Sequence, residues 1–339
     1  MKPISMMNVL RNINPFIFLV CATLPVLLYG NDGPWVPCAH HLDTYEHGQY
    51  SYFDFCDTCG CGSSGGSMGY GTGLNNNFLG LRYIGQQYRS RDGIFADSPW
   101  IDERFNTVQL WGNFPIAERI LLNVMVPYQF HQRTLPDGTD QDIRGLGDMS
   151  ILGLYNLIKG TPDSIVSIKP EHYLQVGAGI KMPTGKFDRE NNLGSVNPSF
   201  QLGNGSWDYV LAMNYGFTHR NWGVSTLLNY TIKTENPKEY KFGNQINYGI
   251  NVFKTYYVSN SLSLTPIAGL AGESYGTNRE FDTDVANTKG DVFLGKVSLE
   301  ATYNQFSLGL LGMLPIDQNL NNGKVELKNR VSIYLNVNL

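Results

Sequence analysis

The chain has 339 residues, 42% hydrophobic but only 16% charged, with 37 Gly, 20 Tyr and 17 Phe. Soluble domains carry about a quarter charged residues, so this composition argues against an ordinary soluble protein and for strands with one greasy and one wet face. The formal net charge is −4, and Lys and Arg nowhere cluster. That excludes nucleic acid as a partner, since phosphate binding needs a concentrated cationic face.

Residues 1–30 read as a secretory signal: Lys2 and Arg11 precede an apolar run from Phe16 to Tyr29. That run is interrupted by Pro25 and is shorter than the ~20 residues a transmembrane helix needs. Cleavage of such a segment commits the chain to export.

Residues 31–74 form a second region, crowded with ligand-type side chains. Cys38, His40, His41, His47, Cys56, Cys59, Cys61 and Met68 fall within it, and no cysteine occurs after Cys61. Two chemistries fit this set. The four thiols can pair as disulfides in an oxidising compartment, with three possible connectivities. Alternatively Cys38, His40, His41, Cys56, Cys59 and Cys61 supply soft sulfur and imidazole, which suits Cu(I) or Zn(II). Covalent haem is excluded, because Gly60 stands where Cys-x-x-Cys-His requires histidine. The Gly- and Ser-rich run from Gly60 to Gly73 reads as a linker, or as a plug or cap for the remainder of the chain.

From Phe78 onward, apolar residues recur with period two. In Trp207-Asp-Tyr209-Val-Leu211-Ala-Met213-Asn-Tyr215-Gly-Phe217 one face is wholly large and apolar, and the other is small or polar. Twelve strands are expected, near 78–89, 105–114, 119–133, 147–158, 171–183, 206–217, 222–234, 244–257, 261–274, 291–302, 306–314 and 327–339. Tight turns at 115–118, 219–221, 258–260 and 303–305 alternate with longer connections, of roughly 8 to 21 residues, as in bacterial outer-membrane barrels.

The expected fold is all-β: a transmembrane, antiparallel, up-and-down barrel of about twelve strands over residues 75–339. A soluble sandwich would need both sheets to hide their apolar faces against each other. An even strand count puts both barrel ends on one side, so the N-terminal segment and the C-terminus are expected in the periplasm. Outer-membrane lipid is then the first partner.

If the large apolar face meets lipid, the opposite face lines the interior. That face collects Arg82, Gln86, Gln109, Asn113, Asn123, His131, Arg133, Lys181, Asp208, Asn214, Glu273, Lys296 and Glu300. Two readings stay open: a hydrogen-bonded interior that satisfies itself, or a narrow pore whose polar lining selects a small-molecule solute. Enzymatic activity is not expected. A barrel hydrolase needs Ser and His on one strand face, yet His131, His172 and His219 have no Ser two residues away.

Two segments, Gly145-Leu-Gly147-Asp148-Met-Ser-Ile-Leu-Gly-Leu-Tyr155 and Val176-Gly-Ala-Gly-Ile-Lys181-Met-Pro183-Thr184-Gly185-Lys-Phe-Asp188, carry a resemblance. They are similar to the Gly-x-Gly-Asp strand start and the Lys-x-Pro-Thr-Gly strand end of outer-membrane transporters of the meta-pathway of phenol degradation. The resemblance covers most of residues 75–339 and implies passive uptake of a small, hydrophobic solute. The Cys-x-x-Cys-Gly-Cys run resembles that of a variant among exported proteins of Bacteroidetes-type bacteria. Copper or zinc handling through that segment, and a structural role beside an envelope protein partner, are the alternative functions.

Overall fold

In the computed structural model the described residues are 51–52, 72–73, 77–91, 99–135, 137–159, 170–191, 194–195 and 200–339. The signal segment and Cys38, His40, His41, Cys56, Cys59 and Cys61 lie outside them. Twelve long strands are present: β1 Phe78–Ser90, β2 Ile101–Ala117, β3 Ile120–Thr134, β4 Met149–Ile158, β5 Glu171–Met182, β6 Asp208–His219, β7 Trp222–Ile232, β8 Gln245–Lys254, β9 Leu262–Tyr275, β10 Gly290–Tyr303, β11 Phe306–Leu320 and β12 Val325–Asn338. Each pairs antiparallel with its successor, and β12 pairs back onto β1. The sheet is therefore a closed barrel with no free edge.

The alternation explains why these segments become strands rather than helices. Along β6, Tyr209, Leu211 and Met213 stand about half exposed on the outside, while Asp208, Val210, Ala212 and Asn214 are buried. Strands of 10 to 17 residues suffice for the ~9–11 needed to cross a bilayer with tilt. A belt of outward Leu, Ile, Val and Tyr is solvated by lipid, which is why closure and not a second sheet satisfies the pattern.

Large inward aromatics are accommodated by glycine on the neighbouring strand. Tyr173, Phe253 and Tyr334 lie where side chains on Gly216, Gly223 and Gly309 would have to stand. The pairing lets a bulky ring lie flat along the wall.

Three boundaries differ from the sequence reading. Strand β2 continues through Pro115 to Ala117, so the turn is only Glu118-Arg119, and Pro115 is absorbed beside a register shift. Strand β11 runs to Leu320 instead of ending near 314. A bulge opposite Phe293 and Leu294 carries it past Pro315. The connection to β12 is then four residues, in which Asn321, Asn322 and Gly323 all take the left-handed conformation that Asn and Gly tolerate best. Finally, a strand over Asp140–Leu146 precedes β4 and pairs with the upper half of β3, so Gly147-Asp148 interrupts a strand instead of starting one.

Candidate functional site

The interior of the barrel is the candidate site. All of Arg82, Gln86, Gln109, His131, Arg133, Lys181, Asp208, Asn214, Lys296 and Glu300 are buried on its inward face, as are Asn113, Asn123 and Glu273. They sit in separate groups around the wall.

One group is an ion-pair cluster where the long connection after β5 returns to the barrel. Lys181 Nζ lies 3.0 Å from Asp208 Oδ2 and 3.3 Å from Asp148 Oδ2, and Lys233 Nζ lies 3.2 Å from Asp208 Oδ2. All four side chains are almost fully buried, two of each sign, so the charges compensate. The backbone of the returning connection completes the cluster. Asp148 accepts from the N–H groups of Gly185 and Asn204, at 3.0 Å each, and the Asn204 side chain donates to Asp208 at 2.6 Å. Gly185 and Gly203 are required here, because a side chain on either would run into Asp148 or facing backbone. Thr184 Oγ1 ties the same corner to the Gly147 carbonyl at 2.7 Å.

This clamp holds Phe200 and Leu202 inside the barrel. Both join an apolar band round the wall that includes Tyr88, Phe105, Ile143, Leu227, Leu294, Met313 and Leu327. Phe200 meets Phe105 edge-on, with ring centroids 5.9 Å apart, and carries the Arg133 guanidinium at 4.8 Å. His131 lies against Phe105 and shares a 3.0 Å hydrogen bond with Gln129. A second apolar cluster occupies the wall from β1 to β6, with Ile84, Trp111, Met125, Leu152, Leu154 and Val210. The interior face is thus not exclusively small or polar, as the alternation alone suggested. Leu152 and Leu154 fit inside because Gly177 and Gly179 on β5 give them room.

Other charges lie against members of these clusters. Arg330 makes a bidentate pair with Glu273, at 2.7 and 3.2 Å, and reaches Tyr88 at 3.0 Å. The Tyr334 hydroxyl donates to Glu300. Arg82 donates to Gln109 and lies 4.4 Å over the ring of Trp111. Among the described residues, no three His, Cys, Asp or Glu side chains come together at metal-ligand spacing.

Sequence reasoning missed Phe200 and Leu202, which sit in a connection with no periodic signal. It also passed over Asp148 and Lys233 as partners of Lys181 and Asp208. The parity of β7 already aimed Lys233 inward, so that residue was accessible to it.

A family model described as "Putative MetA-pathway of phenol degradation" matches residues 102–312, more than half of the chain. The chain belongs to that family. Both segments that carried the resemblance, 145–155 and 176–188, fall inside the family match, and the structure gives them one task. They build the Asp148–Lys181 corner of the clamp.

No curated protein sequence matches the chain. Among solved structures, an outer membrane channel from Pseudomonas putida F1 is similar over 77% of this chain and 95% of that one, at 14% identity and a TM-score of 0.54. A FadL homologue from Pseudomonas aeruginosa aligns over 77% and 90%, at 8% identity and a TM-score of 0.36. The β domain of the Bordetella autotransporter BrkA aligns over 78% and 100%, at 8% identity and a TM-score of 0.45. The likeness to the P. putida channel is one of fold.

Proposed function

We propose that the protein is an outer-membrane channel for passive movement of a small solute with apolar surface. The observation that carries the reading is the apolar band inside a closed membrane barrel, with Phe200 and Leu202 held into it by buried charges. Leucine and phenylalanine packed in the interior stabilise the barrel, and the same greasy wall resists hydrated ions and admits uncharged solutes that can present an apolar face. Family membership agrees with this reading. The even strand count and the tight turns Glu118-Arg119, Arg220-Asn221 and Asn304-Gln305 support a periplasmic location for those turns and both barrel ends. Residues 31–74 are then a periplasmic segment ahead of the barrel.

Reconstitution decides the matter. In planar bilayers the purified protein is expected to give low ionic conductance, and in liposome swelling to admit small uncharged solutes. Phe200→Ala is expected to raise conductance by widening the lumen at the band. A barrel that neither conducts nor swells vesicles in any solute, with the variant equally silent, would overturn the channel reading.

A further inference from the structure

We propose that Asn214, Asn229, Thr231, Asn247 and Asn251 form a hydrogen-bonding subsite on the lumenal wall for an uncharged, polyhydroxylated solute. The proposal deepens the channel reading and rests on it.

These five residues face inward from three adjacent strands, β6, β7 and β8. Asn229 is the direct cross-strand partner of Asn247 and of Ala212, Asn214 is opposite Leu227, and Thr231 is opposite Gln245. Each of the five is at most 2% exposed. Among the described residues, Asn229 Oδ1 and Nδ2, Asn247 Nδ2, Asn214 Oδ1, Asn251 Oδ1 and Thr231 Oγ1 have no hydrogen-bond partner. Neighbouring bonds hold three of these side chains in place. Asn214 Nδ2 donates to Gln175 at 3.3 Å, Asn251 Nδ2 donates to Ser225 at 3.1 Å, and Asn247 Oδ1 accepts from Gln245 at 2.9 Å. The amides of Asn214, Asn247 and Asn251 are thus oriented, each presenting its remaining edge, and Asn229, opposite Asn247, has both ends of its amide unpartnered.

The chemistry of that edge selects the occupant. Two amide N–H₂ donors and three amide acceptors lie interleaved with one hydroxyl that can do either. An anion would meet only the donors and a cation only the acceptors. A hydroxyl group both donates and accepts, so a row of them satisfies the whole set. The nearest formal charges already compensate each other: Asp208 with Lys181 and Lys233, Glu273 with Arg330. Leu227, Ala212 and Val210 flank the amides and match the C–H faces of a polyol. A buried polar atom left without a partner costs about 1–3 kcal/mol, so hydroxyl groups along this wall gain by supplying partners, as water would.

The test uses the full-length protein in nanodiscs, labelled with ¹⁵N on asparagine and titrated with meso-erythritol, in parallel with liposome swelling in the same solute. The expected result is saturable movement of the Asn229 and Asn247 side-chain amide signals, identified by their absence in N229L and N247L. Sodium chloride should not reproduce it. The N229L/N247L double variant, still heat-modifiable on gels as a folded barrel, should slow erythritol swelling about fivefold, the loss of one net hydrogen bond. Asn229→Gln should restore most of it. If the amide signals stay still while vesicles swell, water alone fills the wall and the subsite is overturned, with the channel reading intact. The subsite is equally overturned if the remaining asparagine signals respond identically in the double variant. Saturable binding without swelling would uphold the subsite and remove the channel.

Discussion

At the scale of single residues, the tightest constraint is the buried charge cluster at the return of the long connection. Asp208 faces two ammonium groups and takes hydrogen bonds from Asn204 and Ser206. Asp208→Asn leaves Lys181 and Lys233 without their shared counter-charge, and breaking a buried pair of this kind costs about 3–5 kcal/mol. The expected outcome is a clear fall in the temperature at which the folded barrel converts to the unfolded band on gels. Arg89→Ala breaks an ion pair with Glu326 that is about one-third exposed, and exposed pairs are worth about 0–1 kcal/mol, so it should leave that temperature nearly unchanged. Gly309, over which Tyr334 lies, is constrained by space instead of charge. Gly309→Ala forces that ring away at a cost of about 1–3 kcal/mol, and adding Tyr334→Leu should recover part of the loss in the same assay. Lys181 and Asp208 were legible as inward residues from strand parity alone. Their partnership with Asp148 was not, because Asp148 sits at an interruption between two strand segments, where parity gives no direction.

At the scale of elements, the strands were legible almost throughout, and for one reason. A membrane barrel must keep its two faces chemically different along every strand, so each strand states its own orientation. Where the two faces converge the signal fades. Strand β4 carries Ile151, Leu152, Leu154 and Tyr155, apolar on both sides, and only Gly177 and Gly179 of the next strand explain why leucines point inward. The β11 boundary failed differently: Pro315 reads as a terminator, yet a bulge carries it within the strand. The faces also make a directional prediction. Leu310 is 60% exposed on the outside of β11 while its neighbour Leu311 is buried in the inner band. Leu310→Arg puts a cation into lipid at a cost of about 2–4 kcal/mol near the midplane, and should reduce the folded yield in vesicles. Leu310→Val should not.

At the scale of the whole molecule, the barrel is complete within residues 77–339. Asn77 accepts from the Leu339 N–H at 3.1 Å and donates its side-chain amide to the Leu339 carbonyl at 2.8 Å. A secreted form lacking residues 31–74 is therefore expected to give a heat-modifiable barrel, checked by gel shift after outer-membrane extraction. Loss of the barrel would mean that the segment is needed for folding. The closed architecture was legible in the sequence, from the even strand count and the alternation of short and long connections. The apolar band was not. Its Phe200 and Leu202 come from a connection that folds back into the lumen, held there by the contacts of Asp148 with Gly185 and Asn204 and of Asn204 with Asp208.

The seam between β12 and β1 sets the order of assembly. Its thirteen paired positions join residues more than 230 apart, from Ser90 with Val325 to Phe78 with Asn338, so they form last in any chain that folds as it is delivered. Until then β1 and β12 present unpaired edges, which are templates for pairing with another chain. An intermediate with this seam open is thus a sticky sheet, exposed to pairing with another copy for as long as its two ends are apart.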